Sequence, residues 1–279
     1  MSLRVVMGLL VAGLGIASAF PDAAQENPVL MPEESAARAK KLLQQAIEAL
    51  GGAAYLNVRD MTCTGRVGEF DHNGQLTGFG QFLDYKQPPD RDRQENLPQR
   101  NIITVYAGDK GWSLDRGGVS DATTTDISDF QESVRKGINF ILRSRIHEPD
   151  MIIRYGGRDV VDLREAEWVE LLGADDRSIR IALDQQTHLP IRKVVEVSDP
   201  LAPVKLHETE YYSNYHSISG IETPFQVLRE RNGAKIFQIF YDKCDVNTGL
   251  DPSLFTRASL EDRYAHVGHH YKEKNDAKK

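Results

Sequence analysis

Met61-Thr62-Cys63-Thr64-Gly65-Arg66-Val67 alternates apolar or small residues with polar ones at a period of two, and Asp71-His72-Asn73-Gly74 follows as a hairpin turn. That alternation puts Met61, Cys63, Gly65 and Val67 on one face of a strand. The return strand places Phe79, Leu83 and Tyr85 on one face, with Gly78 and Gly80 on the other, a pattern of bulging or strong curvature. Pro88-Pro89 ends it. Outward from this hairpin the period of two persists. Strands are predicted at about 90–97 and 101–107, and the turn Gly108-Asp109-Lys110-Gly111 leads into Trp112-Ser113-Leu114. Further strands are predicted near 151–155, 158–163, 166–172, 177–184, 190–198, 204–216, 221–231 and 234–246. Ile179/Ile181/Leu183 and Ile221/Thr223/Phe225/Val227 are the clearest alternations among them.

Two stretches break to helical spacing. Ala36, Ala39, Leu42, Leu43, Ala46, Ile47 and Leu50 form one apolar stripe, stopped by Gly51-Gly52. Asp126 serves as a predicted N-cap for Ile127, Phe130, Val134, Ile138, Ile141 and Leu142, with Pro149 as the boundary. Asp251 to Tyr264 reads as a short helix, and 265–279 as a flexible tail. With no linker after residue 33 and no repeat, 33–264 is expected to be one α+β domain, mostly antiparallel β. About eleven strands in one sheet must curl to make a protected interior, giving an unclosed barrel covered by helices on its concave face.

The 279 residues are 40% hydrophobic and 27% charged, an ordinary globular balance. Lys plus Arg is 34 against 41 for Asp plus Glu, a net charge of −7, so there is no electrostatic footprint for nucleic acid. Arg4, the apolar run Val5 to Ile16 and Ala17-Ser18-Ala19 have the layout of a cleavable secretory signal over 1–19, followed by a proline-bearing leader over 20–32. An exported, periplasmic protein without a lipid anchor is expected. Cys63 and Cys244 are either one disulfide or two buried thiols; spacing does not choose.

Catalytic patterns are sparse. There is no Gly-x-Ser-x-Gly elbow, and Gly78-Phe79-Gly80 lies inside a strand and lacks the third glycine of a dinucleotide loop. His266, His269 and His270 could hold a cation but read as solvated tail residues, and His147 and His188 as surface residues in turns. Glu208/Glu210 and Asp159/Asp162 are paired carboxylates that a hydrolase could use; the former read as exposed-face glutamates. No metal and no cofactor are expected. Arg145 falls on the apolar stripe of the second helix if that helix extends so far, and otherwise in a loop. An inward guanidinium needs an acid or an anionic headgroup, and Glu170 is the candidate acid.

Phe82-Leu83-Asp84-Tyr85-Lys86-Gln87-Pro88-Pro89-Asp90-Arg91-Asp92-Arg93 resembles the strand, proline turn and basic strand of the periplasmic lipoprotein-carrier family, LolA-like proteins with the mycobacterial LppX and LprG lipoproteins as relatives. Tyr106-Ala107-Gly108-Asp109-Lys110-Gly111-Trp112, Leu183 to Ile191 and Gly220-Ile221-Glu222-Thr223-Pro224-Phe225 resemble further turns of that family. The resemblance implies an open half-barrel whose apolar interior receives lipid or lipoprotein acyl chains, or an envelope-stress sensor that contacts another envelope protein. It implies a non-catalytic protein, and a monomer is expected. Strand alternation and helical spacing line the pocket with Phe79, Leu83, Tyr85, Ile179, Ile181, Phe225 and Val227 from the sheet and Phe130, Val134, Ile138 and Ile141 opposite.

Overall fold

The computed structural model describes residues 29–174, 177–197 and 206–276; the expected signal at 1–19 lies outside them. Thirteen strands form one antiparallel sheet. The first wing is a meander of β1 (Met61–Phe70), β2 (Leu76–Gln87), β3 (Arg91–Leu97), β4 (Ile103–Ala107), β5 (Lys110–Asp115) and β6 (Gly118–Asp121). The second is a meander of β7 (Ile152–Val161), β8 (Arg164–Leu172), β9 (Ser178–Asp184), β10 (Pro190–Val197), β11 (Leu206–Ile218), β12 (Ile221–Arg231) and β13 (Ala234–Val246). Every neighbour in the sheet is a neighbour in sequence except β1 and β13, which pair at its middle and leave β6 and β7 as the edges.

That long-range pairing is pinned chemically. Cys63 stands opposite Cys244 and is joined to it as a disulfide across a sequence separation of 181. Next to it, the Asp60 carboxylate accepts from the Thr248 and Gly249 backbone N–H groups at 2.7 and 3.0 Å, tying the entry of β1 to the exit of β13. A bulge at Thr64/Gly65 follows, where a Cβ on Gly65 would meet the Phe240 carbonyl at 2.4 Å and the Phe82 ring at 2.9 Å, so only glycine fits.

Directly opposed residues of antiparallel strands share a face. Tyr155, Val169, Ile181, Lys193, Glu210, Arg229, Phe237, Glu69 and Gly78 are therefore one row on one side of nine strands. Helix α1 (Pro32–Ala49) lays its stripe of Ala39, Leu42, Leu43, Ala46 and Ile47 over the β7–β9 end of this inner face, with Val169, Leu171, Ile179 and Ile181 beneath. A one-turn helix, α2 (Ala53–Leu56), follows.

The predicted second helix is two. Thr123, not Asp126, is its N-cap: Thr123 Oγ1 accepts from the Asp126 N–H at 3.1 Å while the Asp126 carboxylate accepts from the Thr123 N–H at 3.0 Å. Helix α3 (Thr124–Lys136) ends at Gly137, whose extended backbone (ψ 133°) starts α4 (Ile138–Arg143); Arg145 belongs to a short 3-10 turn, Arg145–His147. The final helix, α5 (Arg257–Asp276), and the 3-10 turn before it, Pro252–Phe255, cover the opposite, outer face: Phe255 of the turn and Leu260 of α5 pack on Ile103, Val105 and Leu114. A buried Arg93–Glu95 pair at 2.7 Å faces the same way, and Arg93 also donates to the Leu254 carbonyl at 2.9 Å. The two expected helices on one face are thus joined by a third element on the other. The strands number thirteen rather than about eleven, partly because Gly117-Gly118 turns the chain into β6.

Replacing both cysteines with alanine releases a loop for which chain-entropy bookkeeping gives roughly 5 kcal/mol as an upper figure. Equilibrium urea unfolding of the double variant is expected to lose several kcal/mol; a loss near zero would mean that the β1–β13 pairing holds without its covalent pin.

Candidate functional site

The inner face changes character from one side of the sheet to the other. Beneath α1 it is apolar and filled: Ile179 and Ile181 are fully buried, and Ile141 and Leu142 of α4 close over the same cluster. At β10–β12 it becomes ionic. The buried Lys193 donates from Nζ to Glu210 at 2.6 Å and to the Lys136 carbonyl of α3 at 2.5 Å. Arg229 makes a forked contact with the other Glu210 oxygen, through Nε at 2.9 Å and through Nη2, and Tyr212 donates its hydroxyl to Glu210. Burial by itself would raise the Glu210 carboxyl; Lys193 and Arg229 outweigh it and hold the group down at about 2.

Helix α3 crosses above this network and has no fully buried residue of its own. Its attachments are instead specific. Phe130 stacks on Tyr106 of β4 with ring centroids 4.4 Å apart, and Gln131 donates to the Gly108 carbonyl at 3.2 Å. At its other end Lys136 reaches Glu208 at 3.3 Å, and Glu132 accepts from Arg177 and from Lys136, the latter at 3.1 Å. The helix therefore bridges the two wings, stacked on one and ion-paired to the other. Between it and the sheet lies a cavity of about 350 Å³ lined by Lys136, Lys193, Glu208, Glu210, Arg229 and Arg231, among others.

Beyond the ionic cluster the inner face opens into an apolar lane. Tyr212, Val227, Ile239, Val67 and Gly80 oppose one another across β11, β12, β13, β1 and β2. Val67, Val227 and Ile239 are only half-buried. A Cβ on Gly80 would meet only Val67, at 3.7 Å, and one on Gly78 would meet nothing within 4 Å. One end of the lane is walled by aromatic rings, Phe82 and Phe225 each packed edge-on against Tyr241 at 5.8 and 6.3 Å, beside the disulfide. There the Asp84 carboxyl, buried and next to Asp92, is pushed up to about 7 despite Lys86 at 2.7 Å. Strand β12 spans both environments: Phe225, Val227, Arg229 and Arg231 follow one another on its inner side, apolar first and cationic last. Arg229 lies over the Phe237 ring, 4.7 Å from its centroid, where the two zones meet.

The expected pocket residues divide among these zones. Val227 lines the lane and Phe225 its aromatic wall. Ile179, Ile181 and Ile141 are core beneath α1, with Ile138 packed against them. Phe130 holds α3 to β4, and Val134 is half-buried on the same helix. Leu83, Tyr85 and Phe79 are on the outer face, because Gly65 and Cys63 pair with Phe82 and Asp84 and so turn the even residues of β2 inward. Tyr85 packs in the α5 cluster, and Phe79 is 56% exposed with its ring against Phe240. Arg145 is buried, and Glu148, at 3.4 Å, is among its partners where Glu170 is not. Glu170 points to the outer face, where Arg154 and Arg180 hold it at 2.7 and 3.1 Å. Glu210 is buried rather than on an exposed face. The sequence offered little signal for it: Lys193 follows Arg192 within a strand that mixes apolar and charged residues.

Because the Glu210 carboxyl sits below its unfolded value of 4.5, its contribution is complete above that pH and disappears as pH falls toward about 2. Acid titration of stability should steepen over that window, by on the order of 3 kcal/mol, and Glu210→Gln should flatten it. Glu210→Gln should also cost about 3–5 kcal/mol at neutral pH, since it strands two cations. An unchanged acid profile in the variant would show that another carboxylate governs it.

No family model matches the sequence, and no curated protein matches it. Solved structures do match in fold. A DUF1329 family protein from Desulfovibrio piger superposes with a TM-score of 0.57 at 14% identity, over 80% of this chain and 98% of that one. A LolA superfamily protein from Nitrosomonas europaea gives 0.51 at 14% identity, over 80% and 99%. An outer membrane lipoprotein-sorting protein domain from Vibrio parahaemolyticus gives 0.52 at 11% identity, over 83% and 100%. At these identities the likeness is one of fold: the chain has the LolA-like architecture, an unclosed antiparallel sheet with helices against it.

Proposed function

We propose that this protein is an exported, non-catalytic carrier that holds the acyl chain of a lipid or lipoprotein on the inner face of its sheet. The observation that carries this is the open lane of Val67, Val227, Ile239 and Gly80, an uncovered apolar surface on the inner face of the half-barrel, beside the cavity under α3. The filled core beneath α1 favours β12–β13–β1–β2 as the seat of the acyl chain over the whole interior. The LolA-like fold supports the class of cargo, and the sequence at 1–19 together with a disulfide supports an oxidising envelope compartment. Hydrolysis by Glu208 and Glu210 is disfavoured, because cations engage both carboxylates and hold them ionised. A second reading, contact with another envelope protein, is favoured by Phe79 and Leu76, 56% and 45% exposed on β2.

Protein purified from a bacterial periplasm without its leader should carry lipid-mass adducts in native mass spectrometry. A Cβ at Gly80 has room, 3.7 Å from Val67, so Gly80→Leu should fill the lane and remove the adducts while leaving the melting temperature unchanged. Bare protein from the periplasm, with purified lipids also failing to bind, would contradict the carrier reading and favour the protein contact.

A further inference from the structure

The cavity under α3 adjoins the lane, and its unused hydrogen-bonding capacity is not symmetrical. On the sheet side both oxygens of Glu210 are engaged, one by Arg229 and the other by Lys193 and Tyr212. Both oxygens of Glu208 are engaged as well, by Arg231 at 2.7 Å and by Lys136 at 3.3 Å. The guanidinium groups are not used up. Arg231 contacts Glu208 through Nη2 alone and is 55% exposed at the mouth, and Arg229 turns only Nε and Nη2 to Glu210. A guanidinium has five N–H donors, so this wall offers donors fixed in place by their own ion pairs, and no spare carboxylate oxygen beside them. On the helix side, Asp129 lines the cavity, is exposed, and makes no hydrogen bond or ion pair among the described residues, although its charge acts on the Tyr106 hydroxyl.

Donors on one wall, an acid on the other and an apolar lane leaving along β12 describe the complement of a particular kind of amphiphile. We propose that this cavity is a headgroup site for a phosphodiester that carries an amine, of the phosphoethanolamine class, with the phosphate on Arg229 and Arg231, the amine toward Asp129 and the acyl chain on Val227 and Ile239. The order of β12 carries the assignment: Val227, Arg229 and Arg231 on one side of one strand set a tail contact and two head contacts about 7 and 13 Å from it. This rests on the carrier reading above and goes beyond it by naming the headgroup.

The test compares phosphatidylethanolamine with diacylglycerol of the same chains, and with soluble glycerophosphoethanolamine, in equilibrium binding to the mature protein and to Arg231→Met. Arg231 is half exposed and holds one ion pair, so the variant folds; circular dichroism melts check this. The expected result is that phosphatidylethanolamine binds at least about fivefold more tightly than diacylglycerol, a difference that Arg231→Met abolishes while diacylglycerol is unaffected. Equal binding of the two lipids, or an equal loss of both in the variant, overturns the headgroup site and leaves the carrier reading intact. Glycerophosphoethanolamine binding as tightly as the lipid overturns it too, in favour of a site for a free soluble phosphodiester. Failure of both lipids to bind removes the carrier reading and this inference together.

Discussion

The ladder between β1 and β13 is the constraint on which the other contacts depend. Each wing is a simple meander whose pairings are local, whereas β1 and β13 are the first and last strands in sequence. Closing that distance costs chain entropy that no local contact repays. The disulfide and the Asp60 clamp sit at this seam and nowhere else in the sheet. The seam also sets which residues face inward. Pairing Cys63 with Cys244 and with Asp84 fixes the register of β2, and from it the exposure of Gly78 and Gly80 on the inner face. A slip of one residue there would put Leu83 and Tyr85 inside and dismantle the cluster under α5.

The helices are held to the two faces by different forces. α1 is attached by a stripe of aliphatic side chains, a contact that is strong and insensitive to salt. α3 is attached by one aromatic stack and a set of ion pairs, with Lys193 binding its C-terminal carbonyl. Ion pairs with an exposed member, such as Arg231–Glu208 below α3, weaken with ionic strength, while the buried Lys193–Glu210–Arg229 cluster resists it. The bridging helix is therefore held with little apolar attachment, and it lies over the cavity lined by Lys193, Glu210 and Arg229.

Much of the architecture was legible in the sequence. Alternation at Ile179/Ile181 and at Phe225/Val227 identified inner-face residues correctly, and the first helix was defined by its stripe and its Gly51-Gly52 stop. The local pattern of β2 misled because both of its faces carry apolar residues, Phe82 on one and Leu83 and Tyr85 on the other, so only the pairing partner decides. Helical spacing from Ile127 to Leu142 ran through Gly137 without a break, although the backbone there leaves the helix. The ionic cluster was the least legible feature. Lys193, Glu210 and Arg229 lie on three strands, and each is an ordinary surface residue until the register brings them together. Arg145 pairs locally with Glu148, three residues on, a contact that strand register does not reveal.

The central claim is that cargo occupies the inner lane beside the α3 cavity, and photo-crosslinking locates cargo directly. A fatty-acyl phospholipid bearing a diazirine near the chain terminus, irradiated with the protein and mapped by peptide mass spectrometry, should label peptides containing Val67, Val227 and Ile239. Labelling confined to the outer face around Phe79 and Phe240, or beneath α1 at Ile179 and Ile181, would contradict it.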